Sequence, residues 1–386
     1  MSNKPKNCLL VNSSGVSGSG VGSLFLRDLI ADAPSCFNFI EYKIQPFIIG
    51  GMLSRNSFLY RVSSSIVVRV GILQHQRLLY YINKVLNKEV LKIEEKIKDG
   101  NYKFIWLIAS TPELIFLGNR LVNKGYDVRV TVWDDPDYIA QNLRLPPSFI
   151  TILMEAFGNL MTKAKKGMVI SYSMQFQYYK KYNLDSIIVR HGIKEQKFIK
   201  EKKINKDINI VFAGSLYCKH EWNYLVKALS SVDWKINNKD IYIHHIGMFP
   251  KYGATKNKNI KLYGFQPFDK TLILLSTMDI GYLPYWFSRK YKIPAQTSFP
   301  GKMSAYAATG LAIFHHAPDY TEVTSFLNRY KFGVCCHSNA TKTILKELNS
   351  LILSLDSKEY SENRALAMHH ELSSESNKSK FLSFIS

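Results

Sequence analysis

The sequence contains no long, uncharged apolar run. A membrane-spanning helix needs about 18–20 consecutive apolar residues, and the most apolar stretch, residues 271–288, is interrupted by Asp279, Gly281 and Pro284. The first eleven residues also lack the long apolar core of a signal peptide. These absences argue against a membrane-spanning or secreted protein, and we expect a cytoplasmic location.

Cysteine is scarce, and its spacing fits neither a disulfide framework nor a metal site. The count is odd, and the cysteines do not occur in the paired spacing of a zinc site. We therefore expect reduced thiols and no bound metal. The adjacent pair at 335 and 336 is typical of a buried strand. The five cysteines are Cys8, Cys36, Cys218, Cys335 and Cys336.

Acidic residues are few relative to basic ones. There are 51 Lys and Arg against 30 Asp and Glu, which gives a net charge of +21. Such an excess attracts polyanions, but no nucleic-acid-binding fingerprint occurs, and we expect no nucleic-acid partner. The densest basic run, residues 194–206, is either the solvated surface of a domain linker or a contact with a membrane that carries a lipid-diphosphate acceptor.

Alternating strand and helix patterns run through both halves of the chain and predict an α/β protein. With 386 residues, 46% of them apolar, the chain exceeds what one core usually organises, so two domains are expected. A first strand at 7–11 leads into a glycine-rich turn that includes Gly18 and Gly20. The turn lacks a clean dinucleotide fingerprint and the acidic residue expected after it. We therefore expect no nicotinamide or other cofactor.

Three carboxylates, those of Asp134, Asp135 and Asp137, follow the strand at 128–133. Because ligands of open α/β sheets lie beyond the carboxyl ends of the strands, Asp134 or Asp135 could orient an acceptor hydroxyl or act as its base. The alternative is structural, since at least one carboxylate of this group is expected to cap the helix that begins near Asp137.

The helix predicted after Pro146-Pro147 has an apolar stripe at 149, 153, 156, 157 and 160 and a basic end. A stripe at this spacing normally packs into the core. Contact with a membrane interface is the alternative, because apolar residues beside lysines suit that position.

The segment Thr297-Ser-Phe-Pro-Gly-Lys302 is typical of a phosphate site. Thr297 and Ser298 supply hydroxyl groups, and Gly301 allows a ligand to approach the backbone closely. Lys302 adds a cation where a helix begins and its free N–H groups favour an anion. The helix should run for about two turns and stop at Gly310. An ordinary capped helix between loops is the alternative.

This segment, continued by Met-Ser-Ala-Tyr-Ala-Ala-Thr-Gly310, resembles the donor-sugar signature of the retaining GT-B glycosyltransferases, in a divergent branch of the family 4-like superfamily. The stretches 208–222, 260–267 and 187–193 are similar to further segments of that family, so the resemblance covers most of residues 160–350. It implies two Rossmann-like domains that face a cleft. The expected bounds are 1–197 for the acceptor-side domain, 207–365 for the nucleotide-sugar domain and 366–386 for a tail that returns to the first domain or is disordered.

The resemblance also implies site residues. Lys219 and Lys302 would neutralise the donor diphosphate, and Asp135 would complete the catalytic set. Gly18, Gly20 and Asp134 would lie on the acceptor side. The donor-binding residues would be Gly214, Ser215, Phe265, Thr297, Ser298, Gly301 and Glu322.

The chain departs from the family pattern at three positions. Ala305 and Thr297 stand where many members have Glu, and Ser215 stands where Arg is common. Glu322 is our candidate to replace the missing ribose ligand. These departures leave open an active divergent enzyme, an altered nucleotide preference, or a site that binds without turnover.

The resemblance implies a hexosyltransferase that moves a sugar from a nucleotide-sugar donor to a saccharide or lipid-linked acceptor. Retention of configuration, independence from metal and a role in bacterial surface-polysaccharide assembly are expected, with peripheral attachment to the inner face of the membrane. The alternatives are a non-catalytic sugar-binding or polysaccharide-assembly subunit, or a GT-B enzyme such as an epimerase or hydrolase that acts on nucleotide sugars.

Overall fold

The computed structural model describes residues 6–18, 20–31, 33–44, 71–100, 102–143, 145–194, 207–248 and 257–386. The chain divides into two compact units, Met1–Val189 with Lys380–Ser386, and Arg190–Ser379. The predicted linker at 195–206 lies outside the described residues, as does most of the basic run 194–206. The domain bounds expected from the sequence therefore stay a prediction.

The first unit is built on a six-stranded parallel sheet in the order β2-β1-β3-β4-β5-β6. Its strands are β1 Lys6–Asn12, β2 Phe37–Lys43, β3 Tyr102–Ile108, β4 Val128–Thr131, β5 Lys166–Val169 and β6 Ser186–Ile188. Its helices are α1 Val21–Ala31, α2 Gly71–Gly100, α3 Pro112–Asn123, α4 Pro136–Asn142, α5 Pro147–Lys163 and α6 Tyr172–Tyr182.

Side chains of β3 alternate between two apolar layers, as expected for a parallel sheet that is covered on both faces. Ile105 and Leu107 pack in the layer that includes α3 and α5. Phe104 and Trp106 pack in the opposite layer, with Phe381 near the end of the chain. The apolar stripe predicted on α5 is buried in the first of these layers, which confirms core packing rather than surface exposure.

The second unit contains a six-stranded parallel path in the order β10-β9-β7-β11-β12-β13, and a short strand, β8, pairs antiparallel to β9. Its strands are β7 Asp207–Ala213, β8 Lys235–Ile236, β9 Lys239–Ile246, β10 Ile260–Gly264, β11 Ile280–Pro284, β12 Ala312–His316 and β13 Gly333–Cys336. The pair Cys335-Cys336 lies in β13, as predicted.

The helices of the second unit are α7 Lys219–Ser230, α8 Phe268–Ser276, α9 Lys292–Thr297, α10 Lys302–Ala308, α11 Glu322–Tyr330, α12 Thr341–Leu353 and α13 Lys358–Ala367. A 3₁₀ turn, Arg289–Tyr291, precedes α9, and a π-helical turn, Met368–Leu372, follows α13. The last helix, α14 Ser374–Ile385, begins in the second unit and ends in the first. Among the described helices, none is both long enough and apolar enough to cross a membrane.

The end of α14 is anchored in the first unit by aromatic packing. Phe381 and Phe384 are fully buried, and their ring centroids lie 5.1 and 5.9 Å from that of Trp106. Arg129 donates a hydrogen bond to the carbonyl of Phe384. The final residues are therefore part of the folded core, and the alternative of a disordered tail does not apply to them.

Truncating Phe381 should destabilise the first unit strongly. Phe381→Ala removes a fully buried ring and leaves a cavity beside Trp106, which should lower the free energy of unfolding by about 3–5 kcal/mol. Urea unfolding of the full chain measures the loss. Ser383→Ala, an exposed position on the same helix, is the matched control and should change stability by less than about 0.5 kcal/mol. Equal effects of the two substitutions would contradict the packing described here.

Candidate functional site

The residues of the signature segment lie at the carboxyl edge of the second sheet. Helix α10 begins at Lys302, directly after Gly301. The Lys302 ammonium nitrogen, Nζ, lies 3.8 Å from the ring centroid of Phe212, near the end of β7, and 4.9 Å from that of Tyr217, in the following loop. The segment is therefore placed where ligands of open α/β sheets bind.

The ammonium of Lys302 has no hydrogen-bond partner among the described residues, and its nitrogen is buried. The two aromatic faces offer cation–π attraction but no hydrogen bond. Loss of hydration disfavours the charged form, so burial lowers the pKa of Lys302 to about 7. A buried unpaired charge lowers the stability of the folded protein. An anion bound beside it would offset this loss of stability.

Gly214 leaves space beside this ammonium. The residue has a φ of +106°, a region that side chains rarely adopt, and a Cβ built on it would lie 3.6 Å from Lys302 Nζ. Its N–H donates to the carbonyl of Ile246, 2.7 Å away, which ties the loop after β7 to the last residue of β9. The exposed backbone of Gly214 is thus fixed next to the buried cation.

Tyr306 fixes α10 against β7. Its hydroxyl accepts a hydrogen bond of 2.8 Å from the N–H of Ala213, and its ring lies so close to Gly281 that a Cβ there would be 2.4 Å from the ring. Lys302 is one turn earlier on the same helix, so this anchor sets its position. The sequence signature includes Tyr306, but sequence reasoning assigned it no role, and it also missed Phe212 and Tyr217.

Thr297 and Ser298 use their hydroxyl protons within α9. Thr297 donates to the carbonyl of Ile293 at 3.0 Å, and Ser298 donates to that of Pro294 at 2.6 Å. With both hydroxyl protons donated to backbone carbonyls, the two hydroxyl oxygens can accept a hydrogen bond from a ligand but cannot donate one to it. Their assignment as donor-site residues, and that of Gly301, stays a prediction.

Glu322 lies in a buried ion-pair network. Its carboxylate is 3.3 Å from Arg190, whose guanidinium also pairs with Glu371. The same guanidinium lies 3.9 Å from the ring centroid of Phe299, between Thr297 and Lys302 in sequence. Glu371 receives a second ion pair from Arg329 at 2.6 Å. In this structure Glu322 supports Arg190, which in turn supports the loop before Lys302.

The remaining predicted donor-site residues are exposed at the same edge of the sheet or near it. Lys219 is the first residue of α7, and Ser215 lies in the loop between β7 and α7. Phe265, directly after β10, has 69% of its side chain exposed. The exposed aromatic surface suits stacking on a planar group, and the exposed lysine suits a solvated phosphate.

The predicted acceptor residues lie in the first unit. Asp135 caps α4, because its Oδ1 accepts from the N–H groups of Asp137 and Tyr138 at 3.1 and 3.2 Å. This confirms the capping alternative, and burial raises the pKa of this carboxyl. Asp134 beside it is exposed. Catalytic or acceptor-binding roles for the two carboxylates stay predictions.

The glycine-rich turn after β1 is held by a short polar network. Asn12 donates to Glu41 at 2.7 Å and accepts from the N–H of Gly15 at 2.7 Å. Gly18 lies against Ser23, where an added Cβ would be 2.5 Å from the hydroxyl oxygen, whereas Gly20 opens to free space. The turn is therefore a packed connection at Gly18 and open at Gly20.

No group of three or more His, Cys, Asp or Glu side chains with the arrangement of a metal site occurs in the described parts of the chain.

No protein-family model matches the sequence, and no curated protein sequence matches it. Solved structures match nearly the whole chain. Sucrose-phosphate synthase from Thermosynechococcus elongatus has a TM-score of 0.66 at 9% identity, with 98% of each chain covered. HepE from Anabaena, in complex with UDP, has a TM-score of 0.63 at 11% identity, with 98% of this chain and 99% of that chain covered.

WaaG, a glycosyltransferase involved in lipopolysaccharide biosynthesis, has a TM-score of 0.54 at 12% identity, with 94% of each chain covered. At these identities the likeness establishes the fold. The chain is an α/β protein with two Rossmann-like domains of GT-B architecture, as its sequence predicted.

Replacing Lys302 by Met should stabilise the ligand-free protein. The substitution keeps an apolar stem of similar length and removes a buried, unpaired charge, so the free energy of unfolding should rise by about 1–3 kcal/mol. Urea unfolding at pH 6.5 and pH 9 measures the change. The increase should be larger at pH 6.5. The pKa of Lys302 is about 7 in the folded wild-type protein and higher in the unfolded chain. As pH rises above 7, the folded protein loses the buried charge and becomes more stable, so the advantage of Met over Lys becomes smaller.

The matched control for this measurement is Lys342→Met, at an exposed position near the start of α12. It should leave stability nearly unchanged at both pH values. If Lys302→Met instead lowered stability, the ammonium would have a stabilising partner in the free protein, and the description of an unpaired charge would be wrong.

Proposed function

We propose that this protein is a glycosyltransferase that moves a hexose from a nucleotide-sugar donor to a saccharide or lipid-linked acceptor. The observation that carries the proposal is the buried ammonium of Lys302, which has no hydrogen-bond partner among the described residues and lies beside the exposed backbone of Gly214. A diphosphate is a ligand whose charge would satisfy this cation. The structural likeness to sucrose-phosphate synthase and to HepE with bound UDP supports the choice of a nucleotide sugar.

The proposed reaction breaks the bond between the sugar C1 and the diphosphate oxygen and forms a bond from C1 to the acceptor oxygen. The acceptor hydroxyl proton leaves with the diphosphate. Negative charge grows on the leaving oxygen as its bond breaks, so a cation in a poorly hydrated site stabilises the transition state more than the ground state. Lys302 supplies this charge from the protein interior, and Lys219 supplies a second charge from the surface.

We also propose that the transfer retains the anomeric configuration and needs no metal, as in the resembled family. Two lysines provide the positive charge that a metal ion would otherwise supply to the diphosphate. Gly214, Ser215 and Gly301 bring backbone or hydroxyl groups to the phosphates, and Phe265 offers an exposed ring to the base. Because Glu322 is paired with Arg190, we propose that it stabilises the loop before Lys302 and does not contact the ribose.

On the acceptor side, the proposal keeps Asp135 and Asp134. The cap uses only Oδ1 of Asp135, so its second carboxylate oxygen could accept a hydrogen bond from an acceptor hydroxyl and orient it toward the sugar. A saccharide acceptor in surface-polysaccharide assembly is supported by the likeness to WaaG, a glycosyltransferase of lipopolysaccharide biosynthesis.

The first experiment is a thermal-shift panel of nucleoside diphosphates and nucleotide sugars on the full chain, followed by product analysis with the ligand that binds. At about 100 times its dissociation constant, one ligand should stabilise the protein by ~2.7 kcal/mol. Lys302→Ala should abolish that shift, and Lys342→Ala should leave it intact.

Turnover of the bound sugar in EDTA, with the anomeric configuration kept, would support the full proposal. Binding without transfer or hydrolysis would instead favour a non-catalytic sugar-binding subunit, and formation of a new sugar isomer would favour an epimerase. No binding by any member of the panel, or unchanged binding by Lys302→Ala, would overturn the donor-site assignment.

Binding of the diphosphate should weaken as pH rises above 7. In the free protein the pKa of Lys302 is about 7, and a bound anion should return it toward its ordinary value of about 10.4. The complex therefore takes up a proton above pH 7, and affinity should be roughly 50-fold lower at pH 9 than at pH 7. Calorimetric titration in buffers of different ionisation enthalpy measures both the affinity and the number of protons taken up on binding. A Lys302→Gln variant should bind weakly with no such pH dependence. A flat profile in the wild-type protein would contradict the buried-lysine mechanism.

A further inference from the structure

The loop between β11 and α9 carries cations in a stretch of sequence without acidic residues. Residues 280–318 contain four Lys and Arg residues and no Asp or Glu. Three of these cations, Arg289, Lys290 and Lys292, lie in the loop and at the start of α9, and all three are exposed. The fourth is Lys302. The stretch thus combines the proposed diphosphate cation with a second, exposed group of cations.

A row of aromatic rings connects Lys302 with these exposed cations. Tyr217, whose ring centroid lies 4.9 Å from Lys302 Nζ, has its centroid 5.1 Å from that of Trp286. The rings of Trp286 and Tyr291 are 4.9 Å apart, and Lys290 Nζ lies 5.4 Å from the Tyr291 centroid. The row therefore leads from the proposed diphosphate site to the turn Arg289–Tyr291.

Two hydrogen bonds fix the start of this loop. Trp286 Nε1 donates to the carbonyl of Tyr217 at 3.3 Å, and the N–H of Phe287 donates to Glu221 Oε1 at 3.0 Å. Glu221 is buried in the first turn of α7, so its carboxylate holds the backbone of the loop. The turn with Arg289 and Lys290 follows directly from this attachment.

Carboxylates of the described residues do not pair with the cations of this loop. No ion pair within the described ranges includes Arg289, Lys290 or Lys292. Lys292 Nζ lies 5.5 Å from the ring centroid of Tyr320, which follows the exposed Asp319 in sequence. Arg289 and Lys290 are therefore the better candidates for binding an anion.

We propose that the transferred sugar carries a carboxylate, as in a hexuronic acid, and that Arg289 and Lys290 bind this carboxylate. The inference rests on the proposed function, because it assumes a nucleotide-sugar donor whose diphosphate lies at Lys302. The sugar ring would lie along the row of aromatic rings, which offers apolar contact. Its carboxylate would reach Arg289, whose planar guanidinium can donate two parallel hydrogen bonds to it.

The composition of the loop suits a neutral sugar less well. The hydroxyl groups of a neutral hexose need hydrogen-bond acceptors as well as donors, whereas Lys and Arg side chains only donate. Residues 285–292 contain no Asp, Glu, Asn or Gln side chain that could accept. A carboxylate only accepts hydrogen bonds, so it matches this set of donors.

The test is calorimetric titration of the full-length protein, without acceptor, with two pairs of donors. The pairs are UDP-glucose with UDP-glucuronic acid, and GDP-mannose with GDP-mannuronic acid. The members of each pair differ only at C6, where a carboxylate replaces a hydroxymethyl group. In the pair whose base is accepted, the uronic acid should bind at least about tenfold more tightly than the neutral sugar. The ratio should fall as salt rises from about 0.05 to about 0.5 M, because exposed charges are screened.

Arg289→Gln with Lys290→Gln should bring this ratio close to one by weakening the binding of the uronic acid. Affinity for the nucleoside diphosphate alone and for the neutral sugar should stay within about twofold, since long-range effects of exposed charges are screened. The matched control, Lys227→Gln with Lys342→Gln, removes two charges from exposed positions elsewhere in the second unit. It should keep the wild-type ratio. Thermal unfolding of each variant tests that the fold is intact.

Three results would overturn the proposal. Equal binding of both members of a pair by the wild-type protein would leave the donor site standing but show that no charge on the sugar is recognised. An equal loss of affinity for the diphosphate, the neutral sugar and the uronic acid in the double variant would assign the two cations to the diphosphate. No binding of any nucleoside diphosphate or nucleotide sugar would remove the donor site itself, and the proposed function with it.

Discussion

The proposed donor site of the second unit depends on one constraint, the burial of the Lys302 ammonium against two aromatic rings. Phe212 and Tyr217 attract it electrostatically, but none of the residues that the structure describes forms a hydrogen bond with it. A cation in such a place is unstable relative to water. The surrounding structure holds it there by other means, chiefly the anchor of Tyr306 on β7. Below pH 7 the free protein retains an unfavourable charge, which either loss of the proton or a bound anion would remove, and this is why we propose a binding role for Lys302.

A second layer of charge holds the loop that leads to Lys302. Arg190 is buried, pairs with two carboxylates, and its guanidinium lies 3.9 Å from the ring centroid of Phe299. Breaking such a pair by removing one partner usually costs 3–5 kcal/mol, because the other charge is left unpaired. The loop is thus attached to a buried ion-pair network, while Lys302, one turn before Tyr306, has no carboxylate partner in the described ranges of the chain. Among the described residues, Arg190 is thus paired on both sides while Lys302 has no hydrogen-bond partner, and this contrast supports our proposal that Lys302 is the charge that binds a ligand.

The sequence predicted the α/β fold and the place of Lys302 well, because both depend on local patterns. Apolar runs separated by turn residues indicate parallel strands, and α10 ends near Gly310 as its sequence suggests. The pairing of Arg190 with Glu371 could not be predicted, since the two residues are far apart in sequence and no local pattern connects them. For the same reason Glu322 was interpreted as a possible ribose ligand, whereas its carboxylate lies beside Arg190 in the fold.

The exposed face of α6 shows a different limit of sequence interpretation. Tyr172, Phe176 and Tyr179 would be assigned to a core by composition alone, and only the fold shows that Met174 and Tyr178 fill the buried side. Apolar periodicity identifies a stripe but does not decide whether a sheet, a membrane or water covers it. On α5 the sheet covers the stripe. On α6 the sheet covers one side and leaves three rings exposed. Sequence spacing alone therefore cannot separate the buried stripe of α5 from the exposed rings of α6, because the difference depends on which side of each helix packs on the sheet.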